Sequence, residues 1–501
     1  MMFLKSPVFI KNAFVMTVTA TILRLAGMVF KIWLANRVGA EGIGLYQIIF
    51  SVYVFAAAFA SSGICTAVTA MVASDERFGR RAVKRVMNRS FLLTAVVSLI
   101  SAAALSVLAV PISKYALKDM RAVLSLRVLS LSLPFMGLSA CIRGYFIARK
   151  NAAVPSAVQI AEQAVRIAVS VGLITAFANS GAKLTTAAIF AGDTAAEFIA
   201  FVIIAAAYSH NVKKIGRGGE VPRHTLKKML SIAVPITAGK YLTIGMKTIE
   251  NIAVPTLLGM FYRGGGKGLA LFGALKGMAI PILFFPSSLL SSVSTLLIPE
   301  LTRDGTAGGR KTAAKKCETV ITVTLISSVM TAACFLCEGA RIGELVYGDT
   351  ATGYIIKVLS PLVPFMYLES VCDGILKGLG EQNYSFKYNA ADSALRIAAM
   401  WFLIPRFGMS GFLGVMIVSN VLTSSLCVSR IVKVGGIHID VTGAVVKPLI
   451  AAALGYAAGY FASRAVGGEG VARTVVGVAA VCVTFLFVTV ITRKGERIRR
   501  P

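Results

Sequence analysis

The chain has 501 residues, of which 56% are hydrophobic and 15% charged, and its mean hydropathy is +0.77. That composition excludes a soluble domain and describes a polytopic membrane protein. The net charge of +30 is then a matter of orientation, because the basic residues gather in alternate connections between apolar runs instead of marking a nucleic-acid surface.

Fourteen apolar stretches of spanning length follow one another near residues 8–35, 43–72, 90–112, 122–147, 153–178, 184–208, 229–260, 269–298, 319–338, 354–377, 386–404, 410–430, 444–462 and 472–492. The first is too long for a signal-peptide core and lacks a small-residue cleavage pattern, so it is expected to act as its own insertion signal. With a cytoplasmic N-terminus, the clusters RRAVKR (80–85), Lys213 with Lys214 and Arg217, RKTAAKK (310–316) and RKGERIRR (493–500) all fall on the cytoplasmic side. An even number of spans returns the C-terminus to that side.

The first span carries Arg24 and Lys31 in LRLAGMVFK. Seven residues is two helical turns, so the two cations share one face roughly 10 Å apart. Each costs about 2.5 to 3.5 kcal/mol at a bilayer centre, which points to a wet or paired setting. Asp193 and Glu197 make an acidic face on the sixth span, suited either to a proton or Na⁺ or to neutralising a nearby arginine. The seventh span repeats the cationic spacing with Lys240 and Lys247, and Glu250 stands where it can pair with Lys247. Lys276 in the eighth span is a weaker candidate for the same polar setting, since a lysine can snorkel. Glu162 with Arg166, and Asp392 with Arg396, are read as structural ion pairs four residues apart.

An internal repeat organises these features. Residues 128–174 match 358–404 without gaps, with fifteen identities in 47 positions and a constant offset of 230 that carries AEQAVRIA (161–168) onto ADSALRIA (391–398). The matched segments are spans four and five and spans ten and eleven, so the unit is six helices and both copies cross the membrane in the same direction. The expected domains are an N-terminal lobe at 1–222, a C-terminal lobe at 223–435, and two further spans with a basic tail at 436–501. Two lobes that each present a cationic first helix are expected to meet around a central polar cavity. Arg143 aligns with Asp373, so the two either pair across the pseudo-symmetry axis or sit at cytoplasmic span ends. Gly455 and Gly459 in GYAAG form a small-residue face for helix packing.

Several chemistries have no residues to carry them. Eight cysteines lie mostly in or beside spans, and His210, His224 and His438 sit in basic loops, so no metal site and no cofactor is expected. GGGKG (264–268) and GGRKT (308–312) read as flexible loops instead of a nucleotide-binding motif. No acid/base or metal-binding loop suggests an enzyme.

The run NRVGAEGIGLYQ (36–47), RGYF (143–146), PSAVQIAEQAVR (155–166), AVPITAG (233–239) and the FP…LIPEL pattern (285–301) resemble the polysaccharide-exporter, stage V sporulation protein B-like branch of the multidrug/oligosaccharidyl-lipid/polysaccharide flippase superfamily. The resemblance implies an all-α membrane protein of about fourteen helices, with two six-helix lobes forming a V around a central cavity and an extra C-terminal pair. It also implies a multi-pass monomer of the bacterial cytoplasmic membrane. Its partners would be the bilayer and a lipid-linked oligosaccharide or lipid II, with no nucleic acid. Relatives that flip lipid II use arginines of the first helix, and Arg24 and Lys31 match those places. The expected function is export of an undecaprenyl-pyrophosphate-linked saccharide or peptidoglycan precursor by alternating access, assisted by membrane potential, H⁺ or Na⁺. The alternative is an H⁺- or Na⁺-coupled organic-cation antiporter drawing on Asp193, Glu197 and Glu250.

Overall fold

The computed structural model describes residues 7–74, 80–177, 182–213, 225–287, 310–438, 440–466 and 470–499. Among these residues the regular structure is entirely helical. The helices are α1 (Pro7–Ser74), α2 (Arg80–Pro111), α3 (Ala122–Ser130), α4 (Leu133–Ala148), α5 (Ala153–Ala176), α6 (Ala182–Lys213), α7 (Thr225–Phe261), α8 (Gly265–Phe272) and α9 (Ile280–Phe284). They continue as α10 (Arg310–Tyr347), α11 (Thr350–Leu359), α12 (Val363–Gly378), α13 (Gln382–Gly435), α14 (Lys447–Ala465) and α15 (Val471–Arg499). This is the expected outcome for a chain that must satisfy its backbone hydrogen bonds within each crossing.

Eleven described helices are long and apolar enough to span a membrane, or twelve if α3 and α4, bent by 41°, count as one crossing. Two of the eleven are too long for one bilayer. At 68 residues, α1 would run about 100 Å if straight. It breaks at Gly39 (φ 72°, ψ 175°), inside the NRVGAEG motif, at a backbone conformation that favours glycine. The 54-residue α13 breaks at Gly408 (φ 56°, ψ −133°), three residues after Pro405. The expected fourteen spans are the count only if each arm of α1 and α13 crosses on its own.

The sequence repeat reappears in the backbone. Helices α4 and α12 have 16 residues each and begin 230 positions apart, at Leu133 and Val363. Two pairs of residues that turn through positive φ keep the same offset: Lys118 (55°) with Gly348 (63°), and Lys150 (54°) with Gly380 (81°).

The chain forms two compact units. The first comprises Met1–Phe30 and Leu45–Thr256, the second Lys31–Gly44 and Leu257–Pro501, so α1 and α7 each contribute to both. In the first unit, Val68 and Met71 of α1, Met87 of α2, Tyr145 of α4, Val158 of α5, Ile204 of α6 and Met229 of α7 share one buried core. Gly144, the glycine shared by both repeats, lets α4 come close enough to α1 for Thr69 Oγ1 to donate to its carbonyl at 3.1 Å. A Cβ there would meet the Cys65 carbonyl oxygen.

In the second unit, Ile321 of α10, Ile375 of α12 and Ile431 of α13 centre one core. A separate apolar seam joins Ala333 and Cys334 of α10 to Val481 of α15. Gly459 on α14 faces Val481, as the small-residue reading of GYAAG requires. The short α1 stretch in this unit packs closely as well: Asn36 Nδ2 donates to the Val346 carbonyl at 3.0 Å, and a Cβ on Gly273 would collide with the Ala40 carbonyl.

Candidate functional site: cations on α1 and α7 and an ion cluster in the first unit

The seven-residue spacing places Arg24 and Lys31 on one continuous helical arm of α1. Arg24 is exposed and belongs to the first unit, whereas Lys31 is half-buried and falls within the second. Lys240 and Lys247 on α7 are both exposed and belong to the first unit, so three of the four candidate cations lie in that unit. Glu250, one turn after Lys247, is only 4% exposed. Lys276 is half-buried in a π-helical stretch, Gly273–Ala279, between α8 and α9. Such widened turns recur where a helix is shaped for a function.

The α7 cations sit on an anchored scaffold. Asn251 Nδ2 donates to Ser51 Oγ at 2.9 Å, and Thr248 Oγ1 donates to the Ser51 carbonyl at 3.2 Å, fixing α7 against the second arm of α1. The Tyr241 ring packs against Phe55 of α1 at a 33° tilt, with ring centroids 4.2 Å apart. A Cβ on Gly63 would strike the Ala233 carbonyl oxygen, which fixes the approach of the two helices farther along.

The densest electrostatic arrangement among the described residues lies within α4, α5 and α6. Arg166 Nη2 donates to Glu162 Oε1 at 2.8 Å and Nη1 donates to Gln163 Oε1 at 2.7 Å. Arg166 Nε stands 2.6 Å from Asp193 Oδ1, close enough for an ion pair without the alignment of a hydrogen bond. Arg143 Nη2 donates to the other oxygen of Glu162 at 3.3 Å. Asp193 and Glu197 are each 8% exposed, and a membrane-embedded helix holds such charges only when they are paired or functional.

Local spacing predicts one contact of this cluster, the Glu162–Arg166 pair. Its counterpart Asp392–Arg396 is wider, at 3.8 Å, and Asp392 also accepts from Ser419. Arg143 and Asp373, aligned by the repeat, each find a partner inside their own unit: Glu162 for Arg143, Lys377 at 2.5 Å and Ser385 for Asp373. The roles of Arg143 and Gln163 in the cluster are missed by sequence reasoning, because their partners lie on other helices or arrive through a shared arginine. The one available signal is an arginine in the fourth span followed by two acids in the sixth.

The eight cysteines are all free thiols. Among the described residues no group of three or more His, Cys, Asp or Glu side chains is arranged to hold a metal ion. His224, Lys214 and Arg217, most of the LIPEL pattern and part of GGRKT lie outside the described residues, as do the side chains of the basic tail from 493 onward.

Long apolar helices, glycine breaks and a repeated pattern of charge-bearing spans define a multi-pass, all-helical membrane protein among the described residues. Comparison with known proteins places it further. Residues 9–303 match the family described as polysaccharide biosynthesis protein, and the chain belongs to that family. It is 22% identical over 445 residues to stage V sporulation protein B of Bacillus subtilis (strain 168), covering 86% of this chain and 85% of that one. Among solved structures it resembles the lipid II flippase MurJ in an inward closed conformation, with a TM-score of 0.73 at 12% identity over 96% of this chain and 98% of that one. It also resembles the MATE multidrug transporter DinF-BH, with a TM-score of 0.60 at 15% identity, covering 87% and 98% of the two chains. At these identities the structural likeness concerns the fold.

Proposed function

We propose that the protein is a flippase that carries an anionic lipid-linked saccharide, of the undecaprenyl-pyrophosphate or lipid II type, across the bacterial cytoplasmic membrane. The two repeat lobes, 1–222 and 223–435, would open alternately to either side, with both chain termini in the cytoplasm. The observation that carries this reading is the presence of Arg24, Lys240 and Lys247, all exposed, on otherwise apolar helices of one unit. These three are the proposed ligands of the pyrophosphate, which an arginine fork and lysine point charges suit and which they would strip from water. Outward movement of each negative charge gains about 2.3 kcal/mol per 100 mV across a membrane negative inside, so membrane potential supplies a driving force without a nucleotide site. Glu250, one turn after Lys247 on α7, is assigned a supporting place beside these ligands.

The organic-cation antiporter is the weaker reading. It needs carboxylates presented to substrate, yet Asp193, Glu197 and Glu250 are all buried and Asp193 is engaged by Arg166. The purified protein in liposomes separates the two. Translocation of fluorescent lipid II, or of another undecaprenyl-pyrophosphate saccharide, is expected to depend on membrane potential. Uptake of an organic cation dye with no lipid translocation would replace the flippase by the antiporter.

A further inference from the structure

The ion cluster of the first unit is not balanced. Three carboxylates, Glu162, Asp193 and Glu197, face two guanidiniums, Arg143 and Arg166. Both oxygens of Glu162 are used, and Asp193 Oδ1 lies against Arg166. Asp193 Oδ2 and Glu197 Oε2 are buried and meet no donor among the described residues. The two acids are four residues apart on α6 and therefore share one face. Both arginines are already held by other carboxylates, so among the described residues Glu197 is the acid of this cluster without an ion-pair partner of its own.

A buried carboxylate that stays charged with no donor is strongly disfavoured, and a single proton removes the penalty. A metal cation fits less well. It would draw on several oxygens around one point, and among the described residues no group of three or more His, Cys, Asp or Glu side chains is arranged to hold one. The other groups facing this part of α6 are accounted for. From α1 they are Tyr46, beside Asp193 and Arg166, and Tyr53, whose hydroxyl accepts a 2.9 Å hydrogen bond from Ser132. From α4 comes Arg143 and from α5 come Glu162 and Arg166. The one ionisable side chain of α3, Arg127, is exposed, and those of α2 all lie in its first ten residues, 80–89.

We propose that Glu197, together with the adjacent Asp193 Oδ2, is a site for one exchangeable proton inside the first unit. The proton resides on a carboxyl oxygen while Arg143 is bound to Glu162. It leaves to water when Arg143, the more loosely held arginine at 3.3 Å, turns from Glu162 to Glu197; Glu162 then keeps Arg166 as its partner. Use of the proton in transport rests on the flippase reading, whereas existence of the site does not.

The test is infrared spectroscopy of the full-length protein in lipid nanodiscs through a pH titration, without transport substrate. Wild type is expected to show a protonated-carboxyl C=O band that disappears as pH rises, and Glu197→Gln should lose that band. A second readout covers the chance that the variant folds poorly. A native state that holds a proton which the unfolded chain releases must lose stability as pH rises. The wild-type Tm should therefore fall over the range in which the band disappears, and in Asp193→Asn the band should shift in pH while persisting. A wild-type spectrum with no such band, or one unaltered in both variants, overturns the proposal. Stabilisation of wild type by Na⁺ at fixed pH, absent in Glu197→Gln, would also overturn it in favour of a metal cation. A titrating band in a protein that moves no lipid-linked saccharide would leave the proton site standing and remove the flippase reading.

Discussion

Lys150 and Gly380 occupy the same place in two copies of one helix ending. Each turns through positive φ, at 54° and 81°, and the backbone bonds around them repeat: Lys150 N–H to the Ile147 carbonyl at 3.0 Å and Asn151 N–H to Phe146 at 3.0 Å, against Gly380 N–H to Lys377 at 3.2 Å and Glu381 N–H to Leu376 at 2.8 Å. Glycine suits this left-handed cap, and a residue with a Cβ pays roughly 1 to 2 kcal/mol there. Lys150→Gly should therefore raise the thermal midpoint in detergent, and Gly380→Ala should lower it by the equivalent of about 1 kcal/mol. A fall in midpoint for Lys150→Gly, or no loss for Gly380→Ala, would show that the repeats do not share a cap.

The Arg24 series tests substrate recognition. Arg24→Ala should abolish flipping in liposomes while membrane insertion and thermal midpoint stay near wild type, since the side chain is exposed. Arg24→Lys should restore part of the rate, because an ammonium keeps the charge and loses the planar fork. Arg24→Glu should be worse than alanine, as it repels the pyrophosphate. Normal transport by a well-folded Arg24→Glu protein would remove this arginine from the mechanism.

Arg166 holds two carboxylates and an amide, so its loss should be felt in stability before transport. Arg166→Met leaves Glu162 and Asp193 buried without their shared cation, and removing one partner of a buried pair costs about 3 to 5 kcal/mol. A large drop in thermal midpoint is expected. Pairing it with Glu162→Gln and Asp193→Asn should recover much of the loss, and absence of recovery would show that Arg166 acts by packing alone.

Cys334 on α10 and Cys482 on α15 have sulfurs 3.7 Å apart. Membrane-permeant oxidation of the purified protein should link them, giving a faster-migrating band without reductant that Cys482→Ser eliminates. Failure to link, with Cys334 reactive to maleimide, would place α15 away from α10.

The sequence by itself determined the features that depend on near neighbours or on repetition. Apolar length fixes which segments can cross a membrane, and the 230-residue offset anticipates paired helices and caps down to Lys150 and Gly380. Four-residue spacing on one helix gives the Glu162–Arg166 pair, because geometry along a helix is set by 3.6 residues per turn. Tertiary structure alone decided what crosses between helices. It brought Asp193, 27 positions beyond Arg166, onto the same guanidinium, and it assigned Arg143 to Glu162 and Asp373 to Lys377 and Ser385. It also divided α1 and α7 between two compact units. The physical reason is that hydropathy and periodicity register a side chain's distance from water and its position around one helix axis. Which charge meets which depends on the rotation and close approach of separate helices, set by contacts such as Gly144 against Cys65 that carry no signature along the chain.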